Sequence, residues 1–137
     1  MKKIYLDTNF IMDLLARDDE NTVIATIIVE KGRRLNLEFY ISFLSIANFA
    51  YITRKQPKER LYSNLDVICN LFNIESNDSN QIRGAKNLDA NDFEDAIQYE
   101  TAMKAGCECI LTRNKKDFNF SKIPVFSPSE FLDTFKG

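Results

Sequence analysis

The sequence predicts an α/β fold in which a parallel sheet is covered by helices on both faces. Three observations carry that expectation. Short apolar segments bounded by turn residues alternate with longer segments of helical period along the whole chain. No repeat, low-complexity tract or Gly/Ser linker interrupts the alternation. At 137 residues, with 45% hydrophobic and 28% charged residues, the chain suits one domain over residues 1–137 that folds without help from a disulfide or a metal.

Taken in order, Lys3 to Leu6 is a short apolar strand. From Thr8 the spacing turns helical, with Phe10, Ile11, Leu14 and Leu15 on one stripe. Glu20 to Arg34 is a second helix whose apolar face is Val23, Ile24, Ile27 and Ile28, with Gly32 as its stop. Leu37 to Ser42 is the second strand, and Leu44 to Arg54 an apolar helix that Ser42 or Ser45 can cap. Pro57 suits the first turn of the next helix, where Leu61, Leu65 and Ile68 recur at core spacing.

Leu71 to Glu75 reads as the third strand. Asn77-Asp78-Ser79 caps a helix running through Ile82, Ala85 and Leu88, and a turn at 89–91 leads into a helix from Asp92 to Ala105 that Gly106 stops. Cys109 to Thr112 is the fourth strand and Pro124 to Phe126 the fifth. Ser127-Pro128 opens a last helix ending near Phe135. Strands alternating with helices in this way call for right-handed crossovers.

Composition narrows the chemistry. Histidine is absent, which excludes mechanisms that need an imidazole as base or metal ligand, so carboxylates must carry any acid–base or metal work. A net charge of −2 argues against coating nucleic acid by bulk electrostatics. Positive charge is local instead, in Arg33-Arg34, in Arg54, Lys55, Lys58 and Arg60, and in Arg113, Lys115 and Lys116; any one cluster alone reads as a solvated surface. The odd number of cysteines, Cys69, Cys107 and Cys109, reads as reduced thiols. No apolar run suits a signal peptide or a membrane span, so a cytoplasmic protein is expected.

In a parallel sheet, ligands bind at the carboxyl ends of the strands near a topological switch point. Asp7 after the first strand, Asn48 on the helix after the second, Asp95 near the start of its helix and Asn114 after the fourth can all gather there. Each has a structural alternative. Asp7 can cap the helix starting at Thr8. Asp92 and Glu94, taken alone, are better read as complements to a helix dipole. A buried Asn48 must find polar partners wherever it lies.

The segments Leu6-Asp7-Thr8-Asn9, Ile41-Ser42 leading to Asn48, Asp92-Phe93-Glu94-Asp95-Ala96 and Thr112-Arg113-Asn114-Lys115-Lys116-Asp117-Phe118 together resemble a PIN domain. The resemblance covers nearly the whole chain in the right order, and VapC-type toxin ribonucleases belong to that family. It implies a three-layer α/β/α sandwich with a five-stranded parallel sheet. It also implies a Mg²⁺- or Mn²⁺-dependent endoribonuclease site, often a toxin beside a small antitoxin, and frequent homodimers. Asp7 and Asp95 match acidic positions of the family, whereas Asn48 and Asn114 stand where many members carry Glu and Asp, as in a branch with Asn at both.

On this reading Asp7 and Asp95 are catalytic, and Asp7, Asp95, Asn114 and Asp117 form the metal set. Thr8, Asn9, Asn48, Asp92 and Thr112 support it, and Arg54, Lys55, Arg113 and Lys115 contact RNA. Asp13 is expected behind Asp7 or on the surface. Two carboxylates about 4 Å apart repel by roughly 4 kcal/mol at an effective dielectric of ~20, which calls for a cation or a shared proton. Asn supplies only a neutral oxygen, so weak metal binding without substrate is expected. Tyr51 or Tyr62 is placed to stack on a base beside the Arg54 to Arg60 cluster. The helices near Val23 and Leu61 are candidate partner surfaces. Two rival readings remain: a non-catalytic domain of the same fold that binds RNA or protein, and a phosphatase of the haloacid dehalogenase kind with Asp7 as nucleophile.

Overall fold

The computed structural model describes residues 2–136. Five parallel strands form one sheet in the order β3-β2-β1-β4-β5, with β1 Lys3–Leu6, β2 Glu38–Ser42, β3 Asn73–Glu75, β4 Cys109–Leu111 and β5 Val125–Phe126. The chain starts at the central strand, builds outward through β2 and β3, then returns to the other side of β1. The order therefore reverses between β1 and β4, and that reversal is the switch point at which a ligand site is expected.

Alternation along the strands sets the layers. Ile4 and Leu6, Phe39 and Ile41, and Cys109 and Leu111 point to one face, where they pack with helices α1 Thr8–Leu15, α2 Glu20–Arg34, α3 Phe43–Ile52, α4 Lys58–Leu71 and α7 Pro128–Asp133. Tyr5, Tyr40 and Ile110 point to the other, where Tyr99 and Ala102 of α6 Phe93–Lys104, with Ala105 just past its end, meet them. Helix α5 Ser79–Lys86 packs on α6 through Ala85, Ala96 and Ile97. This is the three-layer sandwich with a five-stranded parallel sheet.

Asp7, Ser42, Asp78 and Ser127 cap helices where the sequence suggests, each accepting a hydrogen bond from the first turn of the helix it opens, whereas Asp92, expected inside its helix, proves to be the cap and accepts from the Glu94 amide. Gly106, with φ +75°, ends α6.

Several boundaries differ from expectation. Leu71 ends α4 and Phe72 is buried edge-on against Phe39, at 6.4 Å between ring centroids, so β3 starts only at Asn73. Gly32 is not a stop: α2 runs on to Arg34, and a Cβ at Gly32 would lie 2.3 Å from the Phe39 ring. The glycine exists to admit that ring. The buried face of α2 is Ala25, Ile28, Val29 and Gly32, which leaves Val23 59% exposed. Helix α3 begins at Phe43 and ends at Ile52, where Thr53 turns its hydroxyl onto the Phe49 carbonyl at 2.8 Å. Among the described residues no helix is long and apolar enough to cross a membrane. The three cysteines are unpaired, and burial pushes the thiols of Cys107 and Cys109 up to about 12, which keeps them protonated and inert.

Candidate active site

The β1–β4 register pairs Leu6 with Leu111, so the next residues, Asp7 and Thr112, emerge side by side at the carboxyl edge. Asp7 is only 5% exposed and both its oxygens are engaged. Oδ1 accepts from the Phe10 amide at 3.1 Å, and Oδ2 from the Thr112 hydroxyl at 2.7 Å. Thr112 in turn accepts from the Asn114 amide at 3.0 Å, which ties the loop after β4 to the same carboxylate. Asp7 is thus both the cap of α1 and a member of the cleft.

An open cleft of about 390 Å³ lies over this edge. Asp7, Thr8 and Asn9 line it from the start of α1, and Asn48, Tyr51 and Ile52 from α3. Asp92, Glu94, Asp95 and Gln98 line it from α6, and Thr112, Asn114, Asp117 and Phe118 from β4 and the following turn. Every residue expected in the metal and supporting sets lines this one cleft.

Its charge is uncompensated. Burial pushes the Asp7 carboxyl up to about 6, against the pull of its bonds from Thr112 and Phe10. Asp95, partly buried, is pushed up to about 7, first by desolvation and then by the charges of Asp92, Asp117, Glu94 and Asp7. Asp95 is the third residue of α6, where the helix dipole favours an anion. Burial, with the repulsion of its neighbours, outweighs that help.

Glu94, expected to serve only the helix end, proves to be held in the cleft. Its Oε1 accepts from Asn48 Nδ2 at 3.2 Å and from Gln98 Nε2 at 3.3 Å. Gln98 Oε1 accepts from the Tyr5 hydroxyl at 3.0 Å, and burial and then the charge of Asp7 keep that phenol protonated. A hydrogen-bonded chain thus runs from the core through Tyr5 and Gln98 to Glu94 and across to α3. The four-residue spacing of Glu94 and Gln98 is the one sequence signal for it.

Asp13, expected behind Asp7 or on the surface, is 2% exposed, and its charge adds to what raises the Asp7 carboxyl. It takes the Arg113 Nε at 3.0 Å and Nη2 at 3.2 Å, and the Arg17 Nη1 at 2.8 Å. Arg113, expected on RNA, is therefore forked onto Asp13. Lys115 is likewise paired, with Glu130 at 3.0 Å. Arg54 and Lys55 remain exposed just past α3. Thr8 reaches Ser45 at 2.8 Å, which fixes α1 against α3.

Among the described residues, no three acidic or cysteine side chains converge into a ready-made metal cage. The cleft instead offers hard oxygens that are spread apart and carry excess charge. That arrangement suits a cation bound through one or two carboxylates that keeps several waters and meets a phosphate.

Comparison with known proteins agrees with this geometry. The PIN domain profile matches residues 3–116. Over 140 residues the chain is 29% identical to "Ribonuclease VapC1" of Aquifex aeolicus (strain VF5), covering 96% of this chain and 94% of that protein. A toxin–antitoxin complex from Klebsiella pneumoniae contains a chain with a TM-score of 0.67 and 22% identity, covering 91% of this chain and 97% of that one. VapC20 from Mycobacterium tuberculosis, described as a sarcin–ricin-loop-cleaving toxin, has a TM-score of 0.66 at 13% identity over 88% of this chain and 98% of its own. The profile match runs from the first strand to the turn after the fourth and takes in nearly all of the cleft, and the chain belongs to the PIN domain family.

Proposed function

We propose that this chain is a divalent-metal-dependent endoribonuclease, the toxin of a toxin–antitoxin pair, which hydrolyses RNA phosphodiesters at the carboxyl edge of the sheet. The observation that carries the reading is the charge of the cleft. Asp95 is pushed up to about 7 by burial and by four neighbouring carboxylates, Asp7 among them, so the site is short of a cation. Names borne by relatives agree with it: one is a ribonuclease, another a toxin that cleaves the sarcin–ricin loop, and a third occurs in a toxin–antitoxin complex.

Asp7 and Asp95 would hold Mg²⁺ or Mn²⁺, with Asn114 and Asp117 contributing directly or through water. Such an ion supplies positive charge to the phosphate and acidifies water. The chain's own residues do the positioning. Thr112 and the Phe10 amide lock the Asp7 carboxylate. Asn48 and Gln98 hold the Glu94 carboxylate, which leaves its Oε2 for a water or substrate hydroxyl. Burial and the surrounding carboxylates push the Asp95 carboxyl up to about 7, so metal binding there would be linked to loss of its proton. Arg54, held against Tyr51 but with no carboxylate partner, and exposed Lys55 can meet phosphates, whereas Arg113 and Lys115 are paired with Asp13 and Glu130.

A small antitoxin is the proposed protein partner, and exposed Val23 marks α2 as a surface for a second copy. The test is RNA cleavage with Mg²⁺ and with Mn²⁺ by the wild type, Asp7→Asn and Asp95→Asn, the amide at position 7 preserving the helix cap. Cleavage by the wild type that falls to background in both variants is expected. Equal cleavage by the variants sinks the metal-site reading. RNA binding without cleavage under any metal leaves a non-catalytic binding domain.

A further inference from the structure

The cleft has one wall that the carboxylate chemistry does not use. Tyr51, near the end of α3, lines the cleft, yet its side chain is 65% exposed. The Arg54 guanidinium lies 4.0 Å from the ring centroid and is pinned there, because its Nη1 donates to the Tyr51 carbonyl at 2.8 Å. The ring thus has a guanidinium against it while the residue both lines the cleft and stays largely exposed. The pattern repeats at the start of α4, where the Lys58 ammonium stands 5.6 Å from the ring centroid of Tyr62, itself 54% exposed. Lys55, exposed, falls between the two pairs in the sequence.

We infer that this corner of α3 and α4 is the track along which a single-stranded RNA leaves the cleft, bases stacking on Tyr51 and then Tyr62 while phosphates meet Arg54, Lys55 and Lys58. Aromatic rings interleaved with cations fit an unpaired strand in particular. A splayed base presents a π-face to stack, and its phosphate falls beside the neighbouring cation. Duplex RNA hides its bases and would meet only the charges. A guanidinium already over the ring adds a second flat surface for the next base. Stacking tolerates any base, so the track sets strandedness and affinity and leaves the choice of cleavage site to the cleft.

This inference rests on the ribonuclease reading for its substrate, and its test is separable from cleavage. Binding of a short fluorescein-labelled RNA of mixed sequence is followed by anisotropy on the Asp95→Asn protein, alone and combined with Tyr51→Ala, Tyr62→Ala, Tyr51→Phe or Arg54→Gln. Each Tyr→Ala change is expected to weaken single-strand binding by about tenfold and to leave the salt dependence unchanged. Tyr51→Phe binds as the parent does, and Arg54→Gln flattens the salt dependence. The matching duplex binds more weakly than the single strand and is indifferent to Tyr51→Ala. Undiminished binding by Tyr51→Ala, equal affinity for the duplex, or no binding by the parent overturns the inference. Stacking-dependent binding in a wild type that never cleaves RNA would overturn only the ribonuclease reading.

Discussion

The Thr112 hydroxyl donates to Oδ2 of Asp7 at 2.7 Å, joining the carboxyl ends of two adjacent strands whose residues lie 105 positions apart in the chain. This bond opposes the burial that raises the Asp7 carboxyl, and it holds the carboxylate in one orientation at the floor of the cleft.

Thr112→Val removes that donor and keeps the shape. A buried hydrogen bond to a charged group contributes on the order of 1.5–3 kcal/mol, so the Asp7 carboxyl rises further. The acidic limb of the cleavage pH profile should move up by about one pH unit or more, with Thr112→Ser restoring it. An unmoved limb in Thr112→Val would show that Asp7 does not govern it.

Stability should also report the cleft. The folded-state values of Asp7 and Asp95, about 6 and about 7, lie above the ordinary 3.8. Between about pH 4 and pH 7 the native state therefore binds more protons than the unfolded one, and these groups make stability fall as pH rises through that window. For buried Asp7 a rise of about two units corresponds to roughly 3 kcal/mol. In urea denaturation, the stability of Asp7→Asn minus that of the wild type should grow by about that amount from pH 4 to pH 8. Parallel curves would refute it. Added Mn²⁺ should flatten the wild-type decline and leave the variant unchanged.

Asp13 tests structure apart from chemistry. Asp13→Ala strands Arg17 and Arg113 beside an apolar hole. A loss of about 2–4 kcal/mol is expected, moderated because both arginines are more than a third exposed. Arg113→Lys cannot reproduce the fork and should lose about 1 kcal/mol or more. Cleavage per folded molecule, measured well below the melting temperature, should survive in Asp13→Ala. Its loss there would move Asp13 into the active site.

Gly32→Ala should reverse the usual helix preference. In an exposed helix the change stabilises by about 1 kcal/mol. Here the new Cβ meets the buried Phe39 ring at 2.3 and 2.5 Å. A net loss of about 1–3 kcal/mol is expected. A raised melting temperature would mean that the ring moves aside without cost.

Much of the fold was legible because its signals are local. Strands Lys3–Leu6 and Cys109–Leu111, the capping residues Asp7, Ser42 and Asp78, and the stop at Gly106 all follow from residues acting on their own stretch of backbone. Expectation and structure diverged wherever a residue answers to a distant partner. Gly32 looks like a stop until Phe39 stands against it, and Leu71 and Phe72 look like strand until the helix above the sheet claims them. Glu94 looks like a dipole complement until Asn48 reaches across from α3 to hold it.

By itself the sequence determined where to look: with no histidine, an acidic residue after the first strand and three further motifs in family order, it pointed to carboxylates and amides at a sheet edge. The tertiary structure alone decided which of them face one another, because the parallel crossovers bring residues 7, 48, 95 and 114 to one cleft that no local spacing encodes. It also raised the carboxyls of Asp7 and Asp95. Desolvation and the sum of neighbouring charges depend on distance through space, and those distances exist only once β4 has returned to lie beside β1.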